Sequence, residues 1–221
     1  MAKYFNYFPV TPYVSNNQTS GVDTATNIIA RFSFEKKLKE NESSFYKYTI
    51  KDSDTPEIIA KKYYEHSERH WIVLLFNDII DPQYDWPLQY SQFIDYVDAK
   101  YTANGAANTT VQTGLEWAQD INNVKEYYKI VTRTSSDGTE IIEKLEIDAN
   151  TYANVGSSQV SHTLPDGSEV VETISTLTKT WYEYENEQNE AKREINLLKK
   201  EFVGEVEKEF KRVISEWVIY Q

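Results

Sequence analysis

Between Phe45 and Tyr63 the hydrophobic pattern changes period. Tyr46, Tyr48 and Ile50 alternate with polar residues, the two-residue repeat of a half-buried strand. Asp52-Ser53-Asp54-Thr55-Pro56-Glu57 then punctuates the chain. Asp54 or Thr55 can cap a helix that has Pro56 at its first position. Ile58, Ile59, Lys62 and Tyr63 follow at helical spacing. A second helix is expected over Ser67 to Asn77, with Trp71, Leu74 and Leu75 facing inward and Asp81-Pro82 closing it. Trp86 precedes Pro87 and is pushed towards an extended conformation. A strand, two short helices and a returning extended segment make a βααβ-like module. Its expected core is Tyr48, Ile50, Ile59, Ala60, Tyr63, Trp71, Leu74 and Leu75.

The flanks carry other patterns. Residues 1–27 mix aromatics with Pro9, Pro12 and a polar turn, and read as an extended arm. Such aromatics are costly to leave in water, so the arm packs on its own module or on a neighbour. A helix is expected over Ser91 to Tyr101, followed by a small-residue, polar stretch that reads as a linker. VKEYYKIVTR and TEIIEKLEI flank an Asp-Gly turn, and SHTL and SEVVETISTLTKT flank Pro165-Asp166-Gly167. Both are hairpin signatures. From Glu183 onward Ile195, Leu198, Phe202, Val206, Phe210, Val213 and Trp217 fall three or four apart, as in one long amphipathic helix interrupted only by Gly204. The charged face mixes a favourable Glu207–Lys211 pair with an unfavourable Glu205–Glu209 pair. A helix of that length projects, pairs with a partner, or forms a coiled coil.

The expected class is α+β, in five segments. They are an aromatic arm and lead-in (1–44), the module with its following helix (45–101), a linker (102–123), an antiparallel β-rich insert (124–182) and the long C-terminal helix (183–221).

Composition narrows the function. A net charge of -12 disfavours nucleic acid and anionic membranes as partners. With Cys 0, disulfides, thiolate nucleophiles and cysteine metal sites are excluded. No secretory signal is evident, and no apolar run approaches the ~18 residues of a membrane span, so a cytoplasmic site of synthesis and retention is expected. Tyr 17 and Trp 5 indicate broad contact surfaces.

Catalytic chemistry finds little footing. His66-Ser67-Glu68-Arg69-His70 spaces two histidines as a zinc helix does, but the glutamate stands one place late and turns away from the position of a base. Asp78, Asp81 and Asp85 lack the glycine-centred spacing of a calcium loop and suit caps and turns better. Gly-rich phosphate loops and a G-x-S-x-G elbow do not occur. No catalytic residue, metal or cofactor is expected. The candidate partner contacts are the arm aromatics Tyr4, Phe5, Tyr7 and Phe8, then Tyr84 and Trp86, then the helix row Phe202, Phe210 and Trp217. Packing within the chain is the alternative for each.

Tyr48-Thr49-Ile50, Asp54-Thr55, Ile59-Ala60-Lys61-Lys62-Tyr63 and Leu74-Leu75-x-Asn77 resemble a degenerate LysM motif. Ser53 stands where that motif has glycine, and Asp78 follows Asn77 where it has proline. The wider pattern, from Tyr48 through His70-Trp71 to Tyr84-Asp85-Trp86-Pro87-Leu88, resembles the baseplate wedge protein of contractile-tailed bacteriophages. So do the YFNYFPV arm, the NIIARFSF segment, the helix after the module, and Asn189 to Ile195. The resemblance covers residues 1–101 and 181–217. It implies a structural virion protein of the tail baseplate, assembled in the host cytoplasm in multiple copies of a six-fold baseplate. Its implied role is to join neighbouring wedge proteins around the tail hub. The implied partners are other wedge subunits and sheath-initiator or hub-proximal tail proteins. The alternative is a peptidoglycan-binding LysM-type module of a tail-associated protein.

Overall fold

The computed structural model describes residues 4–14, 22–28, 32–107 and 112–216. The chain divides into two compact units, Met1–Gln89 with Glu190–Gln221, and Tyr90–Asn189. In chain order the first unit opens with a 3-10 turn at Tyr4–Tyr7, then β1 (Val10–Val14), β2 (Val22–Thr26) and α1 (Lys36–Glu40). It continues with β3 (Phe45–Thr49), α2 (Pro56–Tyr64), α3 (His70–Phe76) and α4 (Pro82–Asp85). The second unit holds α5 (Tyr90–Ala107), α6 (Gly114–Gln119), β4 (Val124–Ser135), β5 (Glu140–Ile147), α7 (Ala149–Asn154), β6 (Ser158–Thr163) and β7 (Glu169–Thr180). α8 (Trp181–Ala191) leads back to the first unit, which closes with β8 (Glu194–Leu198) and α9 (Lys200–Glu216).

Local chemistry sets most element ends. The Thr55 hydroxyl accepts from the Ile58 N–H at 3.3 Å, with Pro56 in the first turn of α2. Glu65 ends that helix in the left-handed region, φ 69°. The Asp81 carboxylate caps α4 through the Gln83 N–H at 3.0 Å, and Thr113 with Glu116 forms a capping box on α6. Both hairpin turns carry glycine where φ is positive, Gly138 at 85° and Gly167 at 83°.

In the first unit β3 pairs antiparallel with β8, Tyr48 opposite Ile195. This corrects two expectations. The module's second strand is not the segment at Trp86, which follows the short helix α4. It is β8, from the far end of the chain. The stretch from Glu183 is therefore not one helix, and the long C-terminal helix begins at Lys200. Ile195 and Leu198 do fall at helical spacing with Phe202. However, Leu197 is as deeply buried as its neighbours, at 2% exposure. A segment whose apolar residues are buried on successive positions suits a strand in a core as well as a helix, and pairing with β3 decides.

That core gathers α2, α3, β8 and α9. Ile59, Ala60, Ile72, Val73, Leu198, Val203, Phe210 and Ile214 are fully or nearly fully buried. The Tyr64 hydroxyl donates to the Leu198 carbonyl at 3.0 Å, and Arg69 binds Glu207 at 2.8 Å and the Tyr64 carbonyl at 3.0 Å. Asn77 acts as a one-residue strand. Its Nδ2 donates to the Asn196 carbonyl at 2.9 Å, and its Oδ1 accepts from the Asn196 N–H at 2.7 Å. The amide thus closes the outer edge of β8, with Nδ2 also donating to the Val73 carbonyl at 2.8 Å.

The second unit is a four-stranded antiparallel sheet in the order β5-β4-β7-β6, with the helices α5 and α6 packed together. A Cβ on Gly114 would meet the Asp98 carbonyl oxygen at 2.0 Å, so α6 approaches α5 as only glycine allows. The helix after Leu88 thus belongs with this unit, and the stretch read as a linker contributes the rest of α5 and all of α6. Tyr101 stacks on Trp117 at 5.5 Å and donates to the buried Glu185 carboxylate at 2.7 Å, which also pairs with Lys100 at 2.7 Å.

Candidate functional site

The arm lies against its own core. Tyr4 stacks on Phe210 with centroids 5.0 Å apart and planes 16° apart. Trp71 meets the same ring at 4.8 Å, and Phe32 meets it edge-on at 5.4 Å. Phe8 is buried beneath, at 6% exposure. The reason is local: four aromatics within five residues, three of them in the 3-10 turn Tyr4–Tyr7, find a ready apolar wall where α3 and α9 meet. Burial raises the pKa of the Tyr4 hydroxyl above the usual phenol value.

Beside this cluster runs a groove of about 860 Å³. The arm supplies Tyr4, Phe5 and Phe8. Ile28 and Phe32 form one side, and α3 and its exit supply Trp71, Leu74, Leu75, Ile79 and Ile80. Glu68, His70 and Asp78 mark its polar margin, Asp78 being bound by Lys39. Three large apolar side chains on its wall stand in solvent: Phe5 at 57% exposure, Ile28 at 70% and Ile80 at 73%. A concave apolar surface with such a rim is a candidate contact site.

The candidate residues scatter around it. Tyr4 and Phe5 line the groove. Tyr7 is half-buried against Phe210, edge-on at 6.1 Å. Phe8 and Phe210, expected as partner contacts, are core residues of this chain, Phe210 at 1% exposure. Phe202 packs on the same core, half-buried. Trp86 is half-buried and its indole N–H donates to the Asp54 carbonyl at 3.2 Å, while Tyr84 is exposed; neither lines the groove. Trp217 lies outside the described residues. Of the module residues, Ile50, Ile59, Ala60 and Trp71 are buried, and Tyr48 and Tyr63 are half-buried. Leu74 and Leu75 are half-buried walls of the groove. Ile28, Phe32, Ile79 and Ile80 carried no periodic signal, because each reaches the groove from an irregular segment.

The polar candidates have structural partners. His70 Nδ1 lies 3.1 Å from the Ser67 carbonyl, and Asp85 accepts from the Asp81 N–H at 3.1 Å. Asp54 is buried, and three donors converge on it: Lys62 at 2.6 Å, the Tyr48 hydroxyl at 2.6 Å and the Lys51 N–H at 3.2 Å. Burial pushes its pKa up, but those hydrogen bonds prevail and hold it below the usual aspartate range. Burial and the same carboxylate push Tyr48 up to about 12. Among the described residues no cluster of three or more histidine or carboxylate groups is arranged to hold a metal, and no helix is long and apolar enough to cross a membrane.

The candidate site of the described residues is thus an apolar groove with a polar margin. A family model described as base plate wedge protein 53, of phage, matches residues 3–213. The chain belongs to that family. A search among curated proteins finds no match. The family assigns the chain a structural place in the phage baseplate, and so in the virion tail, among other baseplate components. The match runs through the β-rich unit as well as the module that carried the resemblance.

Proposed function

We propose that this wedge subunit joins neighbouring wedge proteins around the tail hub, and that the groove between the arm and α3 is where one of them docks. One observation carries the reading: in a baseplate family, the groove keeps Phe5, Ile28 and Ile80 in solvent beside buried Trp71 and Phe8. A neighbour that covers those side chains gains their burial without reorganising the core behind them. The occupant is a protein segment of another wedge or hub-proximal subunit with apolar side chains. The LysM-like reading of the module draws support from the order β3, α2, α3 and an antiparallel closing strand, although that strand arrives only after the second unit.

The test is the double variant Phe5→Asp/Ile80→Asp. Both side chains are exposed, so the fold should persist, with unchanged circular dichroism and thermal midpoint. Incorporation into reconstituted wedges should fall by about thirtyfold or more in affinity, the loss of a contact centre worth about 2 kcal/mol. Normal incorporation of a folded variant would overturn the groove as the joint.

A further inference from the structure

The two ends of the groove beside the arm differ in charge. The groove follows α3 from Glu68 and His70, at the start of the helix, to Ile79 and Ile80 beyond its end. At the far end the lining is apolar, and the carboxylate there, Asp78, is neutralised by Lys39. At the near end Glu68 is half-buried and, among the described residues, has neither a hydrogen bond nor an ion pair. Its cationic neighbours are engaged elsewhere. Arg69 binds Glu207 at 2.8 Å and the Tyr64 carbonyl at 3.0 Å, and Lys211 stands over the Tyr7 ring at 4.6 Å. His70 turns Nδ1 to the Ser67 carbonyl at 3.1 Å, which leaves Nε2 of the neutral ring as a second acceptor at this end.

We infer that the segment docking in this groove carries a lysine or arginine, and that Glu68 receives it. The inference rests on the docking reading of the groove and adds a direction to it: the cation lies at the start of α3, the apolar side chains between Leu75 and Ile80. A half-buried carboxylate has already lost part of its hydration, and a docked segment strips away more. Docking over Glu68 therefore costs free energy unless the segment brings a charged donor. An apolar or acidic residue at that point leaves a buried, unpaired charge. An ammonium or guanidinium group replaces the lost water with a charge-assisted hydrogen bond. Asp78 makes no such demand, because Lys39 already meets it.

The helix also sets a spacing. From Glu68 to Leu75 the chain climbs about 11 Å, through a 3-10 turn and then α3. An occupant lying alongside holds its cation that far from the apolar side chain that reaches Leu75. In an extended segment the separation is about three residues, in a helix about seven. The apolar wall by itself accepts several registers of such a segment. The carboxylate at one end favours the register that pairs it and penalises the others.

Glu68→Gln keeps the side chain's shape and removes its charge, and Glu68→Lys reverses the charge. Each full-length variant is titrated into wedges reconstituted from the other wedge proteins, at low and at high salt. Glu68→Gln should bind about tenfold more weakly than wild type at low salt, and Glu68→Lys more weakly still. The gap should narrow at high salt, where screening weakens the pair. Both variants should keep the wild-type thermal midpoint, since Glu68 has no partner in its own chain. Wild-type affinity in both variants would overturn the inference. So would a lowered thermal midpoint with weaker binding that salt does not change, because the carboxylate would then serve α3 itself. Phe5→Asp/Ile80→Asp separates this inference from the docking reading. If that variant fails to dock while Glu68→Lys docks normally, the groove stands and its cation falls. If it docks normally, the groove falls and the inference with it.

Discussion

At the scale of single residues, Asp54 shows how a polar group becomes part of a core. Its carboxylate serves β3 through Tyr48, the turn through Lys51 and α2 through Lys62. Asp54→Ala leaves a hydroxyl and an N–H without an acceptor, a cost of about 2 kcal/mol at neutral pH. Because the folded-state pKa lies below the unfolded value of ~3.9, the carboxylate stabilises the fold above that value and loses its contribution as pH falls through the folded one. Urea titrations at pH 7 and pH 3 should therefore show the gap between wild type and variant narrowing in acid. Tyr48 acts at the other limit. Its raised pKa means that its contribution holds below the unfolded value of ~10 and is lost as pH climbs towards about 12.

At the scale of elements, the link that matters is β3 with β8. Two strands alone are marginal in water, and this pair holds because helices cover one face and Asn77 closes an edge. Asn77→Leu removes both hydrogen bonds to Asn196 and leaves a strand N–H and C=O unpaired. We expect a loss of about 2 kcal/mol and faster amide exchange at Asn196, measured by NMR. The local signals for the caps and hairpins were legible because each rests on a few contiguous residues: Thr55-Pro56, Asp137-Gly138, Asp166-Gly167. The signal for β8 was not, because Glu194 to Leu198 fits two periods and its strand partner lies far away in sequence. The groove was half legible. Phe5 and Leu74 drew attention as aromatic or periodic residues, whereas Ile28 and Ile80 become a rim only once the chain is folded.

At the scale of the whole molecule, one unit interrupts the other. Residues 90–189 form their own compact unit, and the first unit is completed only by the chain that follows. Truncation after Ala191 removes Ile195, Leu197, Leu198, Val203, Val206, Phe210 and Ile214 from the first core. Hydrogen exchange should then show residues 1–89 unprotected, while 90–189 keep the protection of the full chain. Equal protection in both segments would mean that the closing strand and helix are dispensable.

What the sequence by itself determined is what contiguous residues encode. It set the strand and helix of the module, both glycine turns, the α+β class, the acidic surface, and the pattern resembling a baseplate wedge protein. Only the tertiary structure decided where Glu194 to Leu198 would pair, that Phe8 and Phe210 would face inward, and which apolar side chains would stay in solvent around the groove. Helix caps and tight turns are won by hydrogen bonds within a few residues. The choice between strand and helix, or between core and rim, is won by burial against residues far away in the chain, and that contest is settled only when those residues meet.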